Sequence, residues 1–275
     1  MTARVAVITV ASQSRAAHLQ RQQEFLDRLD RTDPLIRVVG WLDEEAPASP
    51  TGGVEAIAVH VPPGVQGLRV AAGRNAAARA AIDAGAEVLV FLDADCLAGP
   101  ELLGRYEHAA AQHPDSLLCG PVTYLAEGVR PSTFADMLEL TRPHPARPMP
   151  DDGEVRRADP REYDLFWSLS FALTSATWQA IGEFSPVFEG YGAEDTDFAW
   201  RSRERGVALR WVGGAHAYHQ WHPTSSPPWQ HLDDILRNGA TFAGIWGRWP
   251  MSGWLDSFAA AGAIRWNGAT WVRTS

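Results

Sequence analysis

The feature that most constrains the fold of this chain is the alternation of short β-branched runs with longer helical patterns. The predicted strands and helices of the first half lie, in order, at 5–11, 16–30, 36–42, 54–61, 68–85, 87–92, after Pro100 and at 117–125. Strands and helices that alternate in this way form a mostly parallel central sheet with helices on both faces. We therefore predict an α/β fold whose ligands bind at the carboxyl ends of the strands.

The second half begins with a long loop at 126–160, rich in Pro, Arg and Asp, with one short predicted helix at 133–140. The elements predicted after this loop are a strand at 165–174, helices at 175–182 and 193–206, a strand at 208–212, and two amphipathic helices beyond Pro228. Asn267-Gly268 near the end indicates a hairpin with a type I′ turn. This order predicts one catalytic domain at 1–225, with halves at 1–125 and 126–225, and a helical and hairpin extension at 226–275.

Composition excludes several classes of function. The chain has 275 residues, 45% of them hydrophobic, and 24 basic against 33 acidic side chains give a net charge of −9, which disfavours nucleic acid as a partner. All the basic residues are Arg, so lysine-based Schiff-base and P-loop chemistry are excluded. No run approaches the about 18 apolar residues of a membrane span, and the start lacks a signal-peptide pattern. We expect a soluble cytoplasmic protein in which Cys96 and Cys119 are buried thiols.

The segment "VLVFLDADC" at 88–96 places two carboxylates where an apolar strand ends. Residues two apart in a strand point the same way, so Asp93 and Asp95 can offer two oxygen ligands on one side of the sheet edge. Mg²⁺ and Mn²⁺ prefer oxygen ligands and keep positions free for phosphate oxygens. Acidic pairs also occur in ordinary turns, but two uncompensated carboxylates beside a buried strand are unfavourable without a cation.

Two further clusters follow in the second half. The block "EGYGAEDTDFAWR" at 189–201 places Glu194 and Asp195 at a predicted helix start, where acidic residues are also favoured by the helix dipole alone. The segment "GGAHAYHQWHP" at 213–223 carries His216, His219 and His222 in a predicted loop. A structural zinc site would need further ligands that this segment lacks, so one imidazole completing the coordination of an ion held by Asp95 explains the cluster better.

Together the three motifs resemble those of inverting glycosyltransferases of the GT-A fold. More closely, the chain is similar to family 2 enzymes whose C-terminal half resembles the β-1,4-galactosyltransferase catalytic module. The resemblance extends to about Pro223 and rests on the order of the D-x-D motif, the block "IGEFSPVFEGYGAEDTDFAWR" and the histidine segment. It implies transfer of a hexose from a nucleoside diphosphate sugar, with a UDP-sugar favoured, to a hydroxyl of a carbohydrate or other acceptor, with Mn²⁺ or Mg²⁺ as the cofactor.

The resemblance also implies roles for single residues. Asp93 and Asp95 are the metal motif, with Asp95 the direct ligand and Asp93 closer to the ribose, and His219 completes the metal site with His222 as the alternative. Asp195 is implied as the general base, which takes the proton of the acceptor hydroxyl as it attacks the anomeric carbon from the face opposite the leaving group.

Further roles are implied around the sugar and the nucleotide. Glu194 accepts a bond from a sugar hydroxyl, and Tyr191 packs against a sugar. The residues at positions where such enzymes hold uracil, ribose and phosphate are Thr9, Asp43, Arg74 and Asn75. Asp43 lies in "GWLDEEA", which lacks the Asp-Asp-x-Ser pattern common in family 2. Arg74 and Asn75 are also ordinary residues for a helix start.

Two other functions fit part of the sequence. A sugar nucleotidyltransferase should carry a glycine-rich phosphate loop after the first strand, and "VASQSRAAHLQRQ" has no glycine. A non-catalytic nucleotide- or sugar-binding protein on the same fold would tolerate loss of the base or the D-x-D motif, and this chain retains both. The amphipathic C-terminal helices leave peripheral membrane contact open, although the net charge of −9 gives it no support.

Overall fold

The computed structural model describes residues 4–47 and 55–274, which form one eight-stranded sheet, one three-stranded sheet and a terminal hairpin. The strands are β1 (Val5–Ala11), β2 (Ile36–Trp41), β3 (Ile57–His60), β4 (Val88–Leu92), β5 (Cys96–Ala98), β6 (Ser116–Cys119), β7 (Val122–Tyr124), β8 (Val155–Arg157), β9 (Ser170–Thr174), β10 (Ala208–Val212), β11 (Ala217–His219), β12 (Ile264–Trp266) and β13 (Trp271–Arg273). The α-helices are α1 (Ala16–Asp27), α2 (Val70–Asp83), α3 (Leu102–Gln112), α4 (Phe134–Glu139), α5 (Ser175–Ile181), α6 (Glu194–Glu204), α7 (Leu232–Trp246) and α8 (Ser252–Ala260). The predicted strand at 54–61 begins at Val54, which lies outside the described residues.

The large sheet has the strand order β3-β2-β1-β4-β9-β6-β10-β8. β3, β2, β1 and β4 pair in parallel, as do β6 and β10, whereas β9 is antiparallel to both β4 and β6. Because two reversals restore the direction, β6 and β10 run the same way as β1 and β4. The carboxyl ends of these four strands therefore lie along one edge of the sheet, which is where Asp93 and Asp95 follow β4.

The small sheet has the order β5-β11-β7 and corrects one expectation. The histidine segment was predicted to be a loop, but Ala217–His219 form β11, which pairs antiparallel to β5 and parallel to β7. β5 and β8 were not predicted either. Each of these strands has three residues, too few for an alternating pattern, and their partners are distant in sequence.

The core lies on both faces of the large sheet. On one face α2, α5 and α6 cover an aromatic cluster in which Phe91 stacks on Phe171 with ring centroids 4.4 Å apart, and Phe184 stacks on Phe198 at 4.2 Å. On the other face α3 packs its buried Leu102, Leu103 and Tyr106 against the sheet. Burial of each such side chain stabilises the fold by about 1.5–3 kcal/mol, which fixes the edge that carries the acidic residues.

The C-terminal segment consists of α7, α8 and the hairpin β12–β13, as predicted. The turn differs from the predicted type I′, because Trp266 pairs with Trp271 and the loop therefore has four residues, closed by Asn267 Oδ1 accepting from the backbone N–H groups of Ala269 and Thr270. The boundary at 225/226 stays a prediction. No helix in the described part of the chain is both long and apolar enough to cross a lipid bilayer.

Candidate functional site

A buried glutamine makes hydrogen bonds to the backbone of the turn after β4. Gln22, on the inner face of α1, is 0% exposed, and its side-chain amide donates to the backbone carbonyls of Asp93 at 2.7 Å and Cys96 at 2.9 Å. Its amide oxygen accepts from the hydroxyl of Thr9 at 2.9 Å. Buried carbonyls need such partners, so Gln22 fixes the backbone that presents the two aspartates.

Asp95 lies beside the imidazoles of His219 and His222 at the sheet edge. Its Oδ1 lies 3.6 Å from Nε2 of His219 and its Oδ2 lies 3.3 Å from Nε2 of His222. The antiparallel pairing of β11 with β5 places His219 opposite Cys96, which explains the first contact. The ligand atoms of the three residues lie within 4.8 Å of one another, a spacing that suits one metal ion.

The protonation states of Asp95 and His219 suit metal ligands. Burial opposes ionisation of Asp95, but His222, His219 and Arg15 outweigh it and hold the pKa of this carboxyl below its ordinary value. Burial lowers the pKa of His219, so its imidazole is neutral near pH 7, as a metal ligand must be. Nδ1 of His222 lies 3.2 Å from Nη2 of Arg15, and since a guanidinium can only donate, Nδ1 accepts this bond while Nε2 faces Oδ2 of Asp95.

Asp93 belongs to a different set of contacts. Nη2 of Arg74 donates to Oδ1 of Asp93 at 2.8 Å, while Nη1 of the same guanidinium donates to Oε1 of Glu194 at 3.3 Å. Arg74 is 4% exposed, and although burial disfavours its charge, Asp93 and Glu194 raise its pKa. Asp93 is not one of the three clustered residues, and its part in the metal motif stays a prediction. Arg74 joins the D-x-D motif to the E-D motif through one side chain.

Asp195 is in the first turn of α6 beside Glu194. Its Oδ1 accepts from the backbone N–H of Thr196 at 2.7 Å and from the Thr196 hydroxyl at 3.3 Å. Burial, together with the charge of Glu194, raises the pKa of Asp195 to about 7. A carboxylate with this pKa is suited to accept a proton near neutral pH.

The loop that leads into α6 has an unusual backbone. Gly190, Gly192 and Ala193 all have positive φ angles, of 75°, 93° and 77°, and Ala193 is the only one of the three with a side chain to clash. Asn238 of α7, which is 2% exposed, donates to the carbonyls of Tyr191 at 3.2 Å and Gly192 at 3.1 Å. The helix α7 therefore holds the strained backbone that positions Asp195.

Tyr191 forms part of an aromatic surface beside this loop. Its ring stacks on His231 with centroids 4.2 Å apart and planes 8° from parallel, and Trp254 lies 5.9 Å away. Tyr191 is 38% exposed, so one face of the surface is open to solvent. Such flat, half-exposed rings suit the apolar face of a sugar.

Of the residues predicted to hold the nucleotide, Thr9 and Asn75 make their hydrogen bonds inside the protein. Thr9 is 1% exposed and its hydroxyl donates to Gln22. The side-chain amide of Asn75 accepts from the backbone N–H of Phe184 at 2.9 Å and donates to the carbonyl of Phe184 at 2.8 Å. Asp43 accepts from the backbone N–H of Gln13 at 2.7 Å near the end of β2. Direct nucleotide contacts by these residues stay predictions, and the contacts seen for Thr9 and Asn75 are internal.

Three residues of the site were missed by sequence reasoning: Arg15, Gln22 and Asn238. Arg15 follows β1, and its Nε donates to Asp95 at 3.2 Å, but nothing in "SQSRAA" distinguishes it from a surface arginine. Gln22 and Asn238 could have been found from the sequence, because each is a polar residue on the apolar stripe of its helix. A buried amide at such a position must have polar partners.

Comparison with known proteins finds relatives at low identity. No family model matches the chain. Validoxylamine A glucosyltransferase of Streptomyces hygroscopicus subsp. jinggangensis (strain 5008) is 28% identical over 171 residues, 52% of this chain and 37% of that protein. The protein of the same name from subsp. limoneus is 28% identical over 171 residues, 34% of its length. The chain thus spans about a third of the length of these relatives.

Solved structures show which fold the chain has. GalNAc-T7, crystallised with UDP, GalNAc and Mn²⁺, is similar over 94% of this chain and 50% of its own, with a TM-score of 0.58 and 14% identity. Residues 1–349 of S. aureus TarS in complex with UDP are similar over 87% of this chain and 64% of their own, with a TM-score of 0.59 and 14% identity. These neighbours are GT-A glycosyltransferases, and the likeness confirms the predicted GT-A fold.

Proposed function

We propose that this chain is a metal-dependent inverting glycosyltransferase, similar to family 2, that moves a hexose from a nucleoside diphosphate sugar to an acceptor hydroxyl. The observation that carries the proposal is the bridge made by Arg74, which binds Asp93 and Glu194 at once. The bridge joins the D-x-D motif, whose Asp95 belongs to the cluster suited to a metal ion, to the E-D motif, whose Asp195 has a pKa of about 7. The glycosyltransferase relatives, among them proteins crystallised with UDP, favour a UDP-sugar as the donor.

Asp95, His219 and His222 would hold the metal ion. Their donor set of one carboxylate and two imidazoles favours a transition metal such as Mn²⁺ over Mg²⁺, which prefers oxygen ligands alone. When bound, the ion supplies positive charge that stabilises the leaving nucleoside diphosphate. Arg15 lies 3.2 Å from Asp95 and adds a second positive charge at this place.

Asp195 acts as the general base in this proposal. Its carboxylate takes the proton from the acceptor hydroxyl, and that oxygen attacks the anomeric carbon from the face opposite the diphosphate, so the configuration inverts. Glu194 accepts a hydrogen bond from a sugar hydroxyl, and Asp93 lies towards the ribose. Tyr191 packs against a sugar ring, and its contact with His231 keeps the ring in place.

The acceptor is a carbohydrate or another hydroxyl-bearing molecule, and a cytoplasmic location is part of the proposal. Cys96 and Cys119 are both buried free thiols, which accords with a reducing compartment. Donor transfer to water, which many transferases catalyse slowly, offers an assay that needs no knowledge of the acceptor. The proposal can therefore be tested before the acceptor is found.

The test measures nucleotide release from UDP-glucose, UDP-galactose, UDP-N-acetylglucosamine and GDP-mannose, with Mn²⁺ and with a chelator. We expect at least one UDP-sugar to release its nucleotide with Mn²⁺ and not with the chelator. Asp95→Ala and Asp195→Asn should both lose this release. Glu204→Gln, at the exposed far end of the same helix α6, is the matched control and should keep the wild-type rate. Release that survives in both site variants would contradict the proposal, and retention of configuration in the released sugar would contradict inversion.

A further inference from the structure

Arg147 is a buried cation that lies between two aromatic rings. It is 4% exposed, and none of its three guanidinium nitrogens makes a hydrogen bond to an oxygen or nitrogen atom of the described residues. The guanidinium carbon lies 5.4 Å from the ring centre of Trp167 and 5.1 Å from that of Trp211. Two indoles therefore hold a charge that no carboxylate neutralises in the part of the chain that the structure describes.

This arrangement is unfavourable for the protein on its own. Removing a guanidinium from water without an anionic partner or hydrogen bonds destabilises the folded state, and contacts with two aromatic rings offset only part of that. The thiol of Cys119 is next to the guanidinium, but burial outweighs the effect of Arg147 and raises the pKa of this thiol to about 12, so the sulfur is only a weak, neutral partner. Arg74 is also 4% exposed, and it has both Asp93 and Glu194 as partners. An arginine buried for packing alone would not need its charge.

The position of Arg147 relates it to the proposed cleft. Cys119 ends β6 and Trp211 is near the end of β10, and both strands run parallel to β4, so Arg147 lies along the same sheet edge as the D-x-D motif. β6 and β10 are in the half of the sheet away from β1 and β2, where the nucleotide is expected. Arg147 is thus on the acceptor side of the cleft.

A row of aromatic rings links Arg147 to the metal cluster. Trp167 contacts His144 with ring centres 5.0 Å apart, His144 contacts Tyr124 at 5.6 Å, and Tyr124 stacks on His219 at 4.5 Å. Tyr124 is 47% exposed, so this row is open to solvent at the end nearest Asp95. A ligand lying along the row from His219 would end near the guanidinium.

We propose that Arg147 binds an anionic group, a phosphate or a carboxylate, of the acceptor substrate. The planar guanidinium can meet either group through two parallel hydrogen bonds. To reach the ligand, the side chain turns out from between Trp167 and Trp211. Prolines at 143, 145, 148 and 150 fix their own φ angles and so limit backbone movement around Arg147. Only the naming of the ligand as the acceptor rests on the proposed function.

The test follows thermal unfolding of the metal-free protein, with a chelator present, as inorganic phosphate or acetate is added at constant ionic strength. Arg147→Met removes the charge at nearly constant volume, and Arg142→Met, an exposed arginine of the same segment, is the matched control. We expect phosphate, acetate or both to raise the melting temperature of the wild type and of Arg142→Met. The anion that raises the melting temperature identifies the group that Arg147 binds. The same rise in Arg147→Met should require a concentration of that anion at least tenfold higher. Without anion, Arg147→Met should melt no lower than the wild type.

An anion effect that is absent in the wild type, or unchanged in Arg147→Met, would overturn the proposal. If Arg147→Met melts below the wild type, the anion effect is measured in Arg147→Lys, which keeps the charge. An anion effect that is retained in Arg147→Lys supports the proposal, and one that is lost overturns it. Failure of the proposed function would be seen elsewhere, as the absence of metal-dependent nucleotide binding. The two failures are therefore distinguishable.

Discussion

At the scale of single residues, the candidate site depends on buried amides as much as on its acidic residues. Gln22 holds the carbonyls of the turn that carries Asp93 and Asp95, and Asn238 holds the loop before Asp195. Neither amide is exposed enough to contact a substrate. They act through the backbone, and their removal should change binding or turnover in different ways.

Replacement of Gln22 should weaken metal and nucleotide binding. Gln22→Leu leaves the carbonyls of Asp93 and Cys96 without their donor, which costs about 1–3 kcal/mol of stability and loosens the turn. We expect the affinity for Mn²⁺ and UDP, measured by calorimetry, to fall about tenfold or more. The control is Gln23→Leu, an equally buried glutamine that contacts Gln22 but not the turn. Equal losses of affinity in the two variants would refute the role of Gln22.

Asp195 should give the reaction its dependence on pH. A base must be deprotonated, and burial raises the pKa of Asp195 to about 7, so kcat/KM should rise with pH through about 7 and level off above it. Asp195→Asn should lower kcat by about 10² to 10⁴ and remove this rise. A pH profile of Asp195→Asn with the wild-type shape would assign the base elsewhere.

The same pKa has a consequence for stability. The folded pKa of about 7 lies above the ordinary 3.8, so the folded protein binds the proton more strongly than the unfolded chain does. The free energy of unfolding contributed by Asp195 therefore decreases as pH rises from about 4 to about 7. Asp195→Asn removes this loss of stability. The melting temperature of Asp195→Asn minus that of the wild type should therefore be larger at pH 8 than at pH 5. The opposite trend would show that the carboxylate is stabilised by the fold.

At the scale of elements, short strands decide where the histidines lie. The register of β11 places His219 opposite Cys96, next to Asp95, and leaves His222 just beyond the strand end. His216 is turned away, since its Nε2 bonds the hydroxyl of Thr123 at 2.7 Å. The three-residue spacing indicated a cluster, but which imidazoles meet Asp95 depends on pairing between segments about 120 residues apart, which no local pattern encodes.

The helix α7 should control turnover more than donor binding. Asn238→Leu removes the donors to the carbonyls of Tyr191 and Gly192 and frees the strained backbone that leads to Asp195. We expect kcat to fall about tenfold to 100-fold, as for a misplaced catalytic group, while the affinity for UDP with Mn²⁺ stays within twofold. A fall in affinity with unchanged kcat would contradict this.

The matched control for Asn238 lies on the exposed side of the same helix. A Cβ at Gly244 would meet no atom within 4 Å, so Gly244→Ala should leave turnover unchanged. It should also raise the free energy of unfolding by about 0.5–1 kcal/mol, because alanine favours the helix more than glycine does.

At the scale of the whole molecule, the order of strands and helices was predictable and the direction of one strand was not. Alternating runs indicated the parallel strands β1, β2 and β4, whose carboxyl ends form the edge that holds Asp93 and Asp95. β9 is antiparallel because the chain reaches it through the long loop and a short 3₁₀ segment instead of a crossover helix. Periodicity reports burial, not direction, so this reversal leaves no mark in the sequence.

The C-terminal segment should unfold together with the rest of the chain. Phe242 of α7 packs in the main core beside Trp200, with ring centres 5.2 Å apart, while Phe258 of α8 lies in a smaller cluster with Leu232 and Ile235. We expect Phe242→Ala and Phe258→Ala each to lower the free energy of unfolding by about 3–5 kcal/mol. Calorimetry should record one transition in both variants, and a separate transition for the segment would contradict this account.

The central claim is that Asp95 and the two histidines bind a metal ion that in turn binds a nucleoside diphosphate. Its most direct test is calorimetric titration of UDP, and then GDP, with and without Mn²⁺, into the wild type and Asp95→Ala. We expect a nucleotide, UDP in the first instance, to bind the wild type only with Mn²⁺, and we expect Asp95→Ala to lose this binding while remaining folded. Nucleotide binding of equal strength without metal, or in Asp95→Ala, would contradict it.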